Sequence, residues 1–351
     1  MKLYPLLSDP KAVLISHAPV EDPVPGEAYR RAAWQTLSAL QVELEGEKAV
    51  IKPNLTVAER TADPDSGITT HPAFVRGLVE YLHAHGARRG RVYLLEDPRN
   101  SDDNEPRHWQ GTGFRELAAE SGLKLRSPKT YSCVKVAVPQ PLAHAVLNVS
   151  RLAVAPNSVL FDVPKLKTHN LSITTLCLKN LMGTVNVFDR HYCGHAWQEM
   201  PEQIRSKDRG ARQEWMDTAT HERWQLGLAR RLADTAQAVR PALNLVDGVV
   251  AREGTGFQHG RNRPAGLAIA GVNMVAVDSV ASYLVGYDPQ RLVCLQVAAQ
   301  AGLGANDLNQ LHVYVVQDGE VVPCRDLDAY RIVPPLRVLS GIVGEPDDLF
   351  C

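Results

Sequence analysis

Short apolar runs rich in β-branched residues alternate along the chain with longer segments whose apolar positions recur every three or four residues. The first pattern predicts strands and the second predicts amphipathic helices. The predicted strands lie at residues 11–17, 48–54, 91–97, 158–164, 242–249 and 266–271, with an extended segment at 124–138. The predicted helices lie at residues 29–44, 71–86, 113–122, 171–183, 221–240 and 273–286. This alternation predicts βαβ units, so we expect an α/β fold with a mostly parallel, doubly wound sheet.

The same pattern divides the chain into a large domain and a tail. We expect residues 1–330 to form the α/β domain, either as one unit or as two packed lobes at about 1–157 and 158–330. Residues 187–220 carry many charges and show no clear period, so we interpret them as an irregular excursion or lid. Residues 331–351 are predicted to be a C-terminal tail.

Composition narrows the classes of protein. The chain has 351 residues with 38 Lys plus Arg and 39 Asp plus Glu, so it lacks the basic excess of a nucleic-acid-binding protein. It has no apolar run long enough for a membrane span, and its first residues lack the apolar core of a signal peptide. Its six cysteines are scattered without a CxxC pair, so we expect a cytoplasmic protein without disulfides and without an internal iron–sulfur cluster.

Polar side chains follow several of the predicted strands, at the point where each strand ends. In open parallel sheets, ligands bind beyond the carboxyl ends of the strands. We therefore expect these side chains to meet in one crevice. They are Lys52, Asn54, Glu96, Asp97, Lys165, Lys167, His169 and Asp247.

The segment PKLKTH is the most informative of these strand ends. Because side chains alternate between faces in an extended segment, Lys165, Lys167 and His169 are predicted to share one face. Several lysines together suit a carboxylate or phosphate, and crowding lowers a lysine pKa so that the amine can act as base or nucleophile. Imidazole titrates near neutral pH, so His169 is the candidate for proton transfer. Lys179 and Asn180 follow on the next predicted helix.

Candidate roles can be assigned from these positions. The catalytic candidates are His169, Lys167, Lys165 and Lys179. The substrate-binding candidates are Lys52, Asn54, Asn180, Gly254 and Gly256. The two glycines belong to a loop that can turn tightly and present backbone N–H groups to an anion. A purely structural loop and ordinary surface lysines are the alternative interpretation.

Metal binding is a second possibility for the same region. Asp247 and Glu253, with His221, are the candidate ligands of a divalent metal. His191 and His195 have the i, i+4 spacing of a zinc pair on a helix, but Gly194 lies between them. Asp278 is interpreted as a residue that caps or begins a helix, since it opens an apolar helical pattern.

Several stretches together resemble the DUF362 family, a domain of unknown function. They are IKPNL (51–55), THPAFVRGLVEYL (70–82), LLED (94–97), DVPKLKTHNLSITTLCLKNLMGTV (162–185), LVDGVVAREGTGFQHG (245–260) and AVDSVASYLVG (276–286). The resemblance covers roughly residues 48–310, and PKLKTH with KNLMG is its specific part. It implies that the recurrent positions of the family fall on Lys52, Asn54, His71, Glu96, Lys165, Lys167, His169, Lys179, Asn180, His221, Asp247, Glu253 and Asp278.

Many relatives in that family carry a ferredoxin-like segment with clustered cysteines, which implies electron transfer in those proteins. This chain has no such cluster, so a redox reaction would use an external electron donor.

We therefore expect a soluble enzyme that acts on a small carboxylate or phosphate, in a specialised biosynthetic pathway. Oxidoreduction is the favoured reaction. A metal-dependent lyase, isomerase or hydrolase reaction is the next alternative. A non-catalytic anion-binding or sensing protein is the alternative. The sequence does not identify a cofactor, and a divalent metal is one candidate. No nucleic acid or membrane partner is expected. The oligomeric state is not predicted.

Overall fold

A computed structural model describes residues 1–55, 63–96, 109, 111–129, 132–205, 218–256 and 259–339 of the chain. Its strands are β1 (Ala12–His17), β2 (Lys48–Pro53), β3 (Val92–Leu95), β4 (Lys124–Arg126), β5 (Cys133–Ala137), β6 (Val146–Ser150), β7 (Ser158–Val163), β8 (Lys165–His169), β9 (Ile173–Thr174), β10 (Leu243–Arg252), β11 (Asn262–Gly271), β12 (His312–Gln317) and β13 (Glu320–Pro323).

The helices alternate with these strands. They are α1 (Gly26–Leu40), α2 (Pro72–Ala84), α3 (Phe114–Ser121), α4 (Arg151–Val154), α5 (Leu176–Asn180), α6 (Tyr192–Gln198), α7 (Glu202–Arg205), α8 (Thr218–Ala238), α9 (Met274–Leu284) and α10 (Val293–Gln300). Short 3-10 helices lie at Pro5–Ser8, Pro64–Ser66, Leu181–Thr184, Pro289–Arg291, Leu308–Gln310 and Asp328–Tyr330.

One 11-stranded sheet organises the protein, in the order β13-β12-β1-β11-β10-β7-β2-β3-β4, with β8 added on β10 and β9 on β8. The run from β10 through β7, β2 and β3 to β4 is parallel, and β1 is parallel to β12. Antiparallel pairing occurs where β11, β13 and β9 join. The predicted mostly parallel α/β sheet is therefore confirmed, and strands from both predicted lobes contribute to it.

Helices cover both faces of this sheet. Along β1, Val13 and Ile15 belong to one buried apolar cluster, whereas Ala12 and Leu14 belong to another, as the period-two alternation of a strand requires. Helices α1 and α2 pack into the second cluster, and α9 and α10 pack into the first. This arrangement is the doubly wound architecture that the sequence predicted.

The segment 171–183 departs from its predicted helix. Its first residues form the short strand β9, and helix follows only from Leu176. Ile173 and Leu176 have φ angles of 64° and 47°, in the left-handed region that non-glycine residues rarely adopt. Apolar spacing cannot reveal such a reversal, because it records which side chains are buried and not how the backbone turns.

Other differences lie outside the parallel sheet. Helices α6 and α7 occupy part of the predicted irregular excursion at 187–220, of which residues 206–217 lie outside the described part of the chain. Helix α6 forms because Tyr192 and Ala196, one turn apart, are buried in a small apolar cluster. The structure adds a β5–β6 hairpin, the edge pair β12–β13 and helix α10 to the predicted elements.

The first part of the predicted tail packs on the domain. The side chain of Leu336 is fully buried, and its carbonyl accepts a hydrogen bond from the Tyr287 hydroxyl at 2.6 Å. Val338 forms a β-bridge with Gly254. Residues 340–351 lie outside the described residues. Among the helices in the described ranges, none is long and apolar enough to cross a membrane.

Asp234 on α8 fixes the hairpin loop to the rest of the protein. Its buried carboxylate accepts three backbone hydrogen bonds, from Leu142 at 2.8 Å and from Ala143 and His144 at 2.7 Å each. Three N–H groups compensate the burial of the negative charge. The contact therefore makes α8 the anchor of a segment outside the large sheet.

We expect Asp234→Ala to lower the free energy of unfolding by about 2–4 kcal/mol, because it leaves three backbone donors without their acceptor. Urea denaturation measures this change. Glu222→Gln, an exposed position on the same helix, is the matched control and should stay within about 0.5 kcal/mol of the wild type. Equal effects of the two substitutions would contradict the anchoring role.

Candidate functional site

Lys52 lies at the carboxyl end of β2 and is fully buried. Its Nζ donates to Glu96 Oε2 at 2.5 Å, to the Pro53 carbonyl at 2.5 Å and to Asn180 Oδ1 at 3.1 Å. Three acceptors match the three protons of an ammonium group. Lys52 is therefore a charged and fully satisfied residue that ties β2 to the end of β3 and to α5.

Asn180 completes this junction with its other amide atoms. Its Nδ2 donates to the Lys52 carbonyl at 3.0 Å and to Asp162 Oδ1 at 2.8 Å. Burial raises the pKa of Asp162 well above its ordinary value, an effect that the nearby Lys52 opposes. Because its amide groups are engaged inside the protein, Asn180 positions helix α5 in this structure.

Gly183 leaves the space that the Lys52–Glu96 pair occupies. A Cβ atom at this position would lie 2.3 Å from Lys52 Cε and 2.6 Å from each carboxylate oxygen of Glu96. The KNLMG motif thus brings together an amide that holds the pair and a glycine that makes room for it.

Arg190 was not among the residues singled out in the sequence. Its Nη1 lies 3.2 Å from Glu96 Oε1, and the side chain is buried. Glu96 therefore lies between two cations, Lys52 and Arg190. The sequence signal was a lone arginine in an aperiodic segment, beside histidines that drew attention to metal binding instead.

Lys165 forms a second buried ion pair. Its Nζ lies 2.9 Å from Asp247 Oδ2, and both side chains are fully buried. The same carboxylate oxygen accepts the backbone N–H of His71 at 2.9 Å, and the Lys165 Nζ lies 5.3 Å from the ring centre of Tyr29. Burial lowers the pKa of Lys165, and Asp247 opposes that shift.

Lys167 is buried like the other two lysines but has a different environment. Its Nζ donates to the Ile68 carbonyl at 2.8 Å, and within the described ranges no carboxylate lies within ion-pair distance. Burial lowers the pKa of Lys167 well below its ordinary value, and the neighbouring cations, Lys179 first among them, lower it further. These effects favour the neutral amine of Lys167 over its ammonium form.

Lys179 and Arg252 are the cations that accompany Lys167. Arg252 is the register partner of Lys167 across the β8–β10 pair. Its Nη1 donates to Asn262 Oδ1 at 2.9 Å, whereas its buried Nε meets no acceptor in the described structure. Lys179 Nζ contacts the sulfur of Met182 at 3.9 Å. No acidic side chain of the described residues pairs with either cation.

His169 is held as a neutral ring. Its Nδ1 accepts the backbone N–H groups of Leu171 at 2.9 Å and Ser172 at 3.2 Å, so Nε2 carries the proton. Burial lowers the pKa of His169 well below its ordinary value, and the neighbouring Lys179 adds to the shift. The ring is therefore a neutral imidazole whose proton lies on Nε2.

The loop with the predicted binding glycines packs on the PKLKTH strand. A Cβ on Gly256 would lie 2.0 Å from the Thr168 carbonyl, so only glycine allows this approach. The Gly254 N–H donates to the Arg337 carbonyl at 2.7 Å. Asn54 bonds through its backbone N–H to Thr70 Oγ1, while its buried Oδ1 has no partner in the described part of the chain.

The three metal-ligand candidates have separate partners. Asp247 pairs with Lys165, Glu253 Oε1 accepts from Arg261 Nε at 2.8 Å, and His221 Nε2 lies 3.0 Å from the Asn170 carbonyl. Among the residues that the structure describes, no group of three or more His, Cys, Asp or Glu side chains has the arrangement of a metal site. The structure therefore does not unite these candidates, nor does it build a metal site around the neighbouring histidines of α6.

Asp278 caps a helix, but not the one that contains it. Helix α9 is capped by Asn273, whose side chain accepts from Val275 and Ala276. Asp278 instead accepts the N–H groups of Cys177 at 2.8 Å and Leu178 at 2.9 Å, at the start of α5. Burial raises the pKa of Asp278 to about 7.

These features define an α/β protein whose adjacent parallel strands bring buried lysines, a histidine and carboxylates together at their carboxyl ends. The chain belongs to the DUF362 family, a domain of unknown function, whose model matches residues 49–283. The resemblance noted in the sequence is thereby confirmed.

More specific relatives are distant or partial. A thylakoid-associated protein of Synechocystis is 31% identical over 148 residues, which are 42% of this chain and 38% of that protein. The chain thus matches well under half the length of this relative. A crystal structure of a Thermotoga maritima protein has a TM-score of 0.42 at 13% identity, over 84% of this chain and 61% of that one.

A second solved structure is similar at the same level. The lactate racemase apoprotein from Thermoanaerobacterium thermosaccharolyticum has a TM-score of 0.41 at 15% identity, over 78% of this chain and 57% of that one. Scores at this level carry no information about the reaction of this protein.

We expect Gly183→Ala to lower the free energy of unfolding by about 1–3 kcal/mol or more, because the new methyl group overlaps the Lys52–Glu96 pair. Urea denaturation measures the change. Gly194→Ala is the matched control, since a Cβ there meets no atom within 4 Å and alanine favours the helix. If both substitutions were neutral, the pair would not require the space that Gly183 leaves.

Proposed function

We propose that this protein is an enzyme that binds a small carboxylate or phosphate at Lys179 and Arg252, two partly buried residues beside Lys167 that are here called the cation group. One observation carries the proposal. The buried ammonium of Lys52 has Glu96 and that of Lys165 has Asp247, whereas the cation group has no carboxylate partner among the described residues.

Burying positive groups without a counter-charge is unfavourable. A protein that retains them gains if a ligand supplies the negative charge, because the attraction is strong where water is excluded. The group lies at the carboxyl ends of parallel strands, where such sheets bind ligands. A small anion is the ligand that this environment favours.

The loop at residues 63–71 covers the cation group in this structure. Carbonyl groups of that loop accept hydrogen bonds from Lys167, at Ile68, and from Arg252, at Ser66, with the second bond 3.3 Å long. Oxygen atoms of a bound anion can replace these two acceptors. Binding would therefore proceed with a displacement of the loop.

Two features favour catalysis over simple binding. A neutral lysine amine is a base or nucleophile, whereas a protonated lysine suffices for holding an anion. His169 adds a neutral imidazole, a group that can take part in proton transfer. The family resemblance favours oxidoreduction with an external electron donor as the reaction. A metal-dependent reaction is the alternative. We also propose that the protein acts in the cytoplasm.

Titration calorimetry with inorganic phosphate and with pyruvate tests the anion site. We expect Lys179→Gln to weaken binding about tenfold to a hundredfold, since a charge-assisted hydrogen bond contributes about 1.5–3 kcal/mol. Lys135→Gln, an exposed lysine on β5, is the control and should bind like the wild type. If neither probe bound the wild type, or if both variants bound alike, the cation group would not be the site.

Exchange of the methyl hydrogens of pyruvate in D₂O, followed by proton NMR, tests catalysis. An enzyme with Lys167 as base should exchange them, and Lys167→Met should reduce the rate at least about a hundredfold, the usual range for a general base. Binding of pyruvate without exchange would favour the non-catalytic alternative.

The pH dependence of stability tests the neutral state of Lys167. The folded chain keeps this amine neutral below its ordinary pKa of 10.5, whereas the unfolded chain protonates it there. The unfolded state then binds more protons, so the free energy of unfolding falls as pH falls through this window. Lys167→Met lacks the effect. Its melting temperature should therefore rise relative to that of the wild type as the pH falls from about 10 to about 7.

The loss of the bond to the Ile68 carbonyl shifts the Lys167→Met curve by an amount that does not depend on this titration. Only the change of the difference with pH is therefore diagnostic. Lys135→Met is the control and should run parallel to the wild type. Parallel curves for Lys167→Met would show that Lys167 is protonated in the folded protein.

A further inference from the structure

We propose that Lys167 forms an iminium ion with a 2-oxo carboxylate, so that the substrate of this site carries a ketone next to its carboxylate. This inference rests on the proposed function and adds the substrate class and a covalent role for one residue. It follows from how the hydrogen-bonding capacity and the charges are distributed among the buried lysines.

The hydrogen bonds separate Lys167 from the other two lysines. An ammonium group has three protons to donate. Lys52 has three oxygen acceptors, and Lys165 has a carboxylate and the face of an aromatic ring. Lys167 has one carbonyl acceptor in the described structure. A neutral amine, with two hydrogens and a lone pair, fits this environment better than an ammonium group.

The charges around Lys167 divide the site into two functions. Lys179 and Arg252 supply positive charge without a carboxylate partner, so they are suited to hold the anionic group of a substrate. Lys167, whose pKa both of these cations lower, supplies the nucleophile. A lysine next to other cationic groups is the arrangement that activates an amine for attack on a carbonyl.

The register of the sheet places Arg252, which would hold the anion, on the strand next to that of the Lys167 nucleophile. Arg252 is the partner of Lys167 on the adjacent strand, and paired strands lie about 4.8 Å apart. Neighbouring positions on paired strands favour a substrate whose electrophilic carbon lies close to its carboxylate. A 2-oxo carboxylate places the two groups on adjacent carbons, whereas inorganic phosphate offers no electrophilic carbon.

The step is balanced without an oxidant or a metal. The lone pair of Lys167 Nζ forms a bond to the carbonyl carbon, and the π electrons of the carbonyl move to oxygen. One amine hydrogen and one solvent proton then leave with that oxygen as water, which gives the iminium ion. The substrate carboxylate offsets the new positive charge.

Reductive trapping tests the proposal on the full chain. The protein is incubated with pyruvate and sodium cyanoborohydride, and the product is analysed by intact mass and by peptide mapping. We expect one adduct, on Lys167. Lys167→Met and Lys167→Arg should lose it, the second although it keeps a long side chain with nitrogen donors, and Lys179→Gln should lower its yield at least about tenfold. Lys135→Met should keep the wild-type yield.

Circular dichroism of each variant shows that loss of the adduct does not reflect loss of the fold. An adduct on another lysine, or none on Lys167 although pyruvate binds at the cation group, would overturn the iminium and leave the anion site intact. If pyruvate and phosphate both failed to bind, the proposed function would fall as well. Phosphate should compete with adduct formation, and an adduct insensitive to phosphate would place the reaction outside the cation group.

Discussion

The buried ion pair between Lys52 and Glu96 is the interaction on which the site depends. It joins the ends of two parallel strands, and Asn180 extends it to the helix that carries Lys179. Such a pair is costly to bury unless each group has further partners, and here the lysine has three acceptors and the carboxylate a second cation. The geometry of the strand ends is thus held by groups that are themselves fully engaged.

This engagement explains why lysines of similar position differ in chemistry. Lys52 and Lys165 are neutralised and structural, so they maintain the scaffold. Lys167 lies on the same strand as Lys165 but two residues further along, where its neighbours are cations instead of a carboxylate. A single change in the partner therefore separates a supporting lysine from a reactive one.

Much of the sheet could be predicted from the sequence, because strand and helix periods are set by which side chains are buried. The meeting of Lys52 with Glu96 was also accessible, since both follow neighbouring parallel strands. The arginines that accompany these residues could not be predicted from the sequence. Arg190 lies in an aperiodic segment, and Arg252 follows Asp247 in a strand that continues past the point where its apolar run ends.

The backbone conformation that follows PKLKTH could not be predicted from the sequence, for a different reason. The left-handed conformation at Ile173 runs against the preference of a β-branched residue, so it exists only because the surrounding contacts impose it. One of these contacts is the cap that Asp278 places on α5. Local preferences cannot predict a helix cap that comes from a residue 100 positions away.

The cap from Asp278 also has a consequence for biosynthesis on the ribosome. The polypeptide emerges amino terminus first, so PKLKTH leaves the exit tunnel well before the residue that orders the helix following it. Strand β1 completes its pairing still later, because its neighbours β11 and β12 are among the last strands to be synthesised. The sheet around the PKLKTH lysines is therefore completed only when translation is nearly finished, in a late, long-range step.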